Sequence, residues 1–162
     1  MLMFFSCTSV PDGLRPVSGF DVSRYLGTWY EIARLDHSFE RGLTRVSAEY
    51  TLRPDGHVSV INRGFDAAKG KWKEARGTAK FRGDRTIGSL RVSFFGPFYG
   101  GYHILDLDKD NYRWAVVCGP NRGYLWILAR EKILDKDLLD DLVAQARGWG
   151  FDTEKLIFVS QE

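Results

Sequence analysis

Val46-Ser47-Ala48-Glu49-Tyr50-Thr51-Leu52-Arg53-Pro54-Asp55-Gly56-His57-Val58-Ser59-Val60-Ile61-Asn62 reads as two strands folded about a tight turn. Val46, Ala48 and Tyr50 recur at every second position before the turn, and Val58, Val60 and Asn62 continue one parity after it. That is the period of a sheet with one face in a core and the other in water. Arg53-Pro54-Asp55-Gly56 reverses the chain, because proline presets one backbone dihedral and glycine supplies a positive one.

The same pattern extends both ways. Strands are expected at about 27–35, 44–52, 57–64, 72–81, 88–95, 101–107, 112–118 and 123–130. Gly83-Asp84-Arg85-Thr86 and Asp108-Lys109-Asp110-Asn111 act as further turns. No interval between them suits a crossover helix, so neighbours run antiparallel. Eight hairpin-linked strands have unpaired edges, and closure into an up-and-down barrel removes them. The fold expected is therefore mainly β. Beyond residue 130 the period changes. Leu138, Leu139, Leu142, Val143, Ala146 and Trp149 share one helical face, Asp135 is placed to cap it, and Gly148 and Gly150 suit its end. Leu156-Ile157-Phe158-Val159 reads as a ninth short strand.

Composition narrows the function classes. The 162 residues are 44% hydrophobic and 27% charged, with aromatics at 14% dispersed through the short runs. Such a chain folds as one soluble domain. A net charge of +2 is too small to imply nucleic acid, and no Lys/Arg run tracks a phosphate backbone. No stretch approaches the roughly 18 apolar residues of a membrane-spanning helix. His37, His57 and His103 lie in or beside different hairpins, without metal-ligand spacing. Asp106, Asp108 and Asp110 alternate as in a calcium loop, but Asn111 replaces its glycine and Val117 its glutamate. Gly-x-Ser-x-Gly and phosphate-binding glycine loops are absent from the sequence. Neither an enzyme nor a cofactor is expected.

Three places bear on a family resemblance. Gly27-Thr28-Trp29-Tyr30 opens the first strand after the lead-in Phe20 to Leu26, and Arg130 ends the eighth. A barrel must be plugged at one end, and a tryptophan covered by an arginine supplies apolar bulk and cation–π contact together. These residues resemble the Gly-x-Trp signature of the lipocalins and the family arginine that stacks on that tryptophan. Tyr112 to Cys118 occupies the place of the second family motif but lacks its Thr-Asp-Tyr. Gly27 to Phe39 and Val92 to Tyr102 resemble the bacterial outer-membrane lipoprotein branch, itself similar to apolipoprotein D and plant temperature-induced lipocalins. The resemblance spans about residues 20–160 and implies a lipocalin domain over 20–162. Its barrel would bind a small lipophilic ligand, with Gly27, Trp29 and Arg130 as a structural closed end.

The N-terminus fits that branch in part. Met1 to Ser6 is a short apolar run ending in a small residue before Cys7, and a polar Pro/Gly stretch follows to Gly19. This order resembles the tail of a bacterial lipoprotein signal, in which the cysteine is lipidated, and makes 1–19 a signal remnant and linker. It implies a protein anchored through Cys7 to the outer membrane on its periplasmic side. Against it stand bulky Phe4 and Phe5 and the lack of a charged leader, which leave a frayed apolar terminus as the alternative. Cys118 is expected to be a small buried hydrophobe, not a disulfide partner.

Alternation sorts the barrel wall. With Trp29 and Arg130 inward, the lining is Ala33, Tyr50, Val60, Ala79, Val92, Phe94, Tyr102, Ile104, Tyr124, Trp126 and Leu128, the candidate ligand contacts. Arg45, Ser47, Glu49, Arg63, Lys80, Arg91, Ser93 and His103 fall on the other face, as a solvated wall. Glu31 falls inward, either as a polar anchor for a ligand headgroup or in a closed-end network with Arg130. The mouth is assigned to the loops near 36–43, 65–71, 95–101 and 119–123. Phe95, Phe98 and Tyr99 would form an apolar rim, flanked by Arg41, Arg45 and Arg122 as partners for phosphate or carboxylate. A fatty acid or lysophospholipid is the expected guest, stored or transported. A haem or bilin near His37, a structural envelope protein with a filled barrel, and dimerisation through the rim are the alternatives.

Overall fold

The computed structural model describes residues 8–95 and 98–162. Its strands are β1 (Gly27–Leu35), β2 (Leu43–Leu52), β3 (Val58–Asp66), β4 (Lys71–Phe81), β5 (Ser89–Phe95), β6 (Phe98–Leu107), β7 (Trp114–Cys118), β8 (Leu125–Ala129) and β9 (Leu156–Phe158). Neighbours in sequence pair antiparallel from β2 to β8, and β1 pairs with both β8 and β2, so eight strands close a barrel. β6 begins at Phe98, earlier than the pattern indicated, and β7 begins later, because Tyr112 turns through a left-handed φ of 51°. Two α-helices accompany the strands among the described residues. The short α1 (Val22–Tyr25) was not expected; Asp21 caps it by accepting from the Ser23 amide. The longer α2 (Lys136–Gly148) is capped by Asp135, whose carboxylate accepts from the Leu138 amide.

Two apolar clusters follow from the two faces of the wall. Inside lie Trp29, Tyr50, Val58, Val60, Ala79, Leu90, Ile104, Ala115, Val117 and Leu128. Outside, Leu142 and Ala146 of α2 pack over Leu105, Val116, Cys118, Leu125 and Ile127, so β6–β8 are apolar on both sides. Cys118 is fully buried there, and burial pushes its thiol up to about 12.

The seam of the barrel has an unusual closure. β1 pairs with β2 only from Gly27 to Tyr30; toward the mouth the same edge is taken by β9, with Ala33 opposite Phe158 and Leu35 opposite Leu156. The tail then joins the two sides. Arg45 N donates to Ser160 O, and Gln161 Nε2 donates to Glu31 O at 2.8 Å and Val46 O at 3.0 Å.

β1 also carries a bulge. Glu31 faces Leu128, but the next register pair is Ala33 with Ile127, so Ile32 is the extra residue. Beyond it the parity inverts. Ala33 lies in the outer cluster beneath α2, and Arg34 turns inward beside Trp126.

Candidate ligand site

The closed end is built on Trp29, which is fully buried and donates from Nε1 to Tyr25 O at 2.8 Å. The Arg130 guanidinium lies over its ring, 3.9 Å from the centroid. That guanidinium also donates to three carbonyls, Tyr112 at 3.1 Å, Thr28 at 3.0 Å and Arg24 at 2.8 Å. It thereby staples β8, β1, α1 and the β6–β7 turn. Gly27 adopts φ +95°, and a Cβ there would lie 3.4 Å from Arg130 Nη1. The positive φ, and not the contact, is what calls for glycine at this position.

Above the plug, three tyrosines cross the lumen. Tyr102 Oη lies 2.6 Å from Tyr25 Oη and 2.9 Å from Tyr50 Oη. Burial raises all three phenols, Tyr50 to about 12, so the cluster is neutral. Around it, Phe20, Leu26, Val58, Ala79, Leu90 and Val92 help to line an apolar cavity of about 20 Å³. That is little more than the space of one water. The lower half of the barrel is thus nearly filled by its own side chains, and Val60, Ala79, Ile104 and Leu128 face inward as buried packing.

The upper half is different. One inward row runs Trp29, Ala48, Asn62, Ala75 through successive strand pairs, and a second runs Tyr50, Val60, Gly77. Trp29 is sealed, whereas Ala48 and Asn62 are half-buried and Ala75 is exposed. The row therefore climbs from plug to solvent. Gly77 makes room for Phe94, since a Cβ there would stand 2.8 Å from its ring and 2.6 Å from Ser93 O.

A buried polar group closes the mouth side. Arg34 Nη1 donates to Glu31 Oε1 at 3.2 Å and to Leu43 O, while Nη2 donates to Glu40 O at 3.0 Å. Trp126 Nε1 donates to Glu40 Oε1 at 3.1 Å. His37 Nε2 lies 3.3 Å from the same oxygen, and its ring is enclosed by Phe39, Tyr124 and Trp126. Burial, and then the charge of Glu40, raise Glu31 well above the usual carboxylate range. Burial would raise Glu40 too, but His37, Glu31 and Arg34 bring it below that range. The two carboxyls thus lean opposite ways, Glu31 toward its protonated form and Glu40 toward its charged form. Arg34 Nε, both His37 ring nitrogens and Glu40 Oε2 are buried without a hydrogen-bond partner among the described residues.

Several expected roles are corrected by this geometry. Ala33 does not line the lumen, because the bulge turns it under α2. Glu31 pairs with Arg34, not with Arg130. Arg122 is unavailable at the rim: it donates to Trp149 O and Asp12 O, both at 2.7 Å, tying the end of α2 to the N-terminal segment. Arg45 is spent on Glu162 O and the Phe65 ring, and exposed Arg41 on Asp36. Tyr99 sits on the outer wall under Lys80 and Arg91. His103 and Ser93 are buried on the face taken for a solvated wall; His103 bonds Ser89 Oγ and Ser9 O of the N-terminal segment that covers it. Tyr50, Val92, Phe94, Tyr102, Tyr124 and Trp126 stand where alternation put them, toward the lumen or its mouth. Cys7 and the Phe95 and Phe98 side chains lie outside the described residues. Arg34 and Glu40 were missed; two opposite charges flanking His37 and Phe39 were the signal, and the bulge hid the first.

A closed eight-stranded barrel plugged at one end by a Trp–Arg pair is an architecture consistent with binding small hydrophobic molecules. The lipocalin-like domain profile matches residues 20–161. The chain belongs to the lipocalin family. It is 52% identical over 156 residues to the outer membrane lipoprotein Blc of Vibrio cholerae, covering 96% of this chain and 91% of that protein. Temperature-induced lipocalin-1 of Arabidopsis thaliana is 34% identical over 149 residues, 86% of this chain and 78% of its own. Among solved structures, insecticyanin from the tobacco hornworm Manduca sexta superposes with a TM-score of 0.74 at 22% identity, covering 94% of this chain and 87% of its own.

Proposed function

We propose that this barrel takes up the acyl chain of a fatty acid or lysophospholipid and holds its polar head at the mouth, storing or carrying it without chemical change. The observation that carries this reading is the mouth-side polar group: Arg34 Nε, both His37 ring nitrogens and Glu40 Oε2 are buried without a hydrogen-bond partner among the described residues. A headgroup oxygen would accept from Arg34 Nε or a His37 N–H, a headgroup hydroxyl would donate to Glu40 Oε2, and burial contributes about 0.8 kcal/mol per CH₂ of the chain. The relatives named outer membrane lipoproteins support a site of action at the bacterial outer membrane. Periplasmic exposure and a lipid anchor on Cys7 extend that reading. No three His, Cys, Asp or Glu are grouped to hold a metal among the described residues.

Native mass spectrometry of gently purified protein, with extraction and lipid identification, is the test. A single-chain lipid released at near one per barrel supports the reading. An empty protein whose tryptophans are not quenched by long-chain lipids overturns it. The small lower cavity favours one competitor, a filled barrel acting as an envelope component, and that empty result would select it. A visible band on adding haem or biliverdin would select a tetrapyrrole instead. Sedimentation across a concentration series tests dimerisation through the mouth, where Phe39 is 54% exposed.

A further inference from the structure

We infer that the outer face of β4, β5 and β6 is the surface this protein lays against an anionic lipid bilayer, so that the barrel rests on its side with the mouth lateral. The cross-strand register sets Lys80 beside Arg91 and Arg91 beside Gly101 on that face. Arg82 follows one step toward the closed end, its amide bonded to Ser89 O and its guanidinium donating to Ser89 Oγ. None of these three cations lies within 4 Å of a carboxylate among the described residues. Asp84, the nearest acid in sequence, is occupied by Thr86. Tyr99 lies among them, its ring under both Lys80 and Arg91. An amphipathic aromatic beneath paired cations is the composition that settles at the level of lipid headgroups.

The path of the chain selects this wall over other basic surfaces. Thr8 O sits 3.2 Å from where a Gly101 Cβ would be, and Ser9 O is bonded by His103, so the residues after Cys7 are held on β6. The segment remains pinned farther along, where Asp12 O meets Arg122 and Val17 pairs with Ile104 and Gly88. An acyl group on Cys7, which is the anchor reading above, would therefore enter the bilayer beside Arg91. Lys69, Lys71 and Lys73 at the β3–β4 turn form the competing basic surface, and they would present the mouth to the membrane.

The test is flotation of the full chain as a Cys7→Ser variant, which carries no acyl group, with phosphatidylethanolamine vesicles containing a minority of phosphatidylglycerol. Each surface cation contributes about fivefold in partition. Lys80→Gln/Arg91→Gln is expected to lower binding at least about tenfold, with an unchanged unfolding midpoint as the check on folding. Lys69→Gln/Lys71→Gln/Lys73→Gln is expected to matter less than twofold. The reverse ranking, or equal loss from both variants, overturns the side-on surface. Acylation itself is read separately, from the mass of Cys7 peptides, so a missing anchor and a wrong surface give different results.

Discussion

Arg130 shows how much one side chain holds in this barrel. Its planar fork reaches three carbonyls from three segments while its face covers Trp29. Arg130→Ala is expected to lower unfolding stability by about 2–3 kcal/mol. Arg130→Lys should recover less than half of that in urea titration, because an ammonium has no fork. The Glu31–Glu40 pair makes a second prediction. An acid whose folded value is raised binds more protons folded than unfolded, so it costs stability as pH climbs from the ordinary carboxylate range through the raised value. Glu31→Gln removes that term. The variant should gain on the wild type as pH rises from 5 to 8, and parallel urea midpoints across that range would refute the buried proton.

At the scale of elements, the hairpins were legible because alternation and turn chemistry are local, and the observed strands follow them from β1 to β5 within a residue or two. The failures came where a local rule met an insertion or a cover. Nothing in Glu31-Ile32-Ala33-Arg34 announces a bulge; Ile32 is the extra residue only in the register of β1 against β8. Likewise His103 is an ordinary outward strand residue until residues 8–17 lie on it. That strap gives a third prediction. Burial, with Arg82 nearby, depresses His103 to about 4. The unfolded chain therefore binds its proton first, and stability is lost as pH falls from about 6.5 toward 4, by about 3 kcal/mol at the lower end. His103→Gln should flatten that limb, read as urea midpoints at steps between about pH 7 and pH 4.

For the whole molecule, the near-complete filling of the lower half and the rising exposure of the inward row toward Ala75 were not legible. Alternation says which way a residue points but not how far its neighbours fill the space. The plug was legible because Trp29 and Arg130 mark it by type; the tyrosine floor was not, since it needs the registers of α1, β2 and β6 together. The proposed guest would occupy the upper half. Ala75→Trp puts a large ring at the exposed end of the inward row, away from the plug and the floor. It should abolish quenching by a long-chain fatty acid, at least about 100-fold in affinity if a chain of several methylenes is excluded. The unfolding midpoint should stay within about 1 kcal/mol. Unaltered binding in a folded Ala75→Trp protein would move the guest elsewhere.

The seam at Gln161 bears on how the molecule comes into being. Neighbouring hairpins can zip as they appear, but the gap between β1 and β2 is spanned by residues from the other end of the chain. β1 and β2 meet directly from Gly27 to Tyr30, but the mouth side of that seam stays unpaired in a chain made from its N-terminus until Leu156 to Gln161 arrive. A chain stopped short of those residues would keep two bare strand edges there, so holdase protection should be needed until the last few residues arrive, and little thereafter.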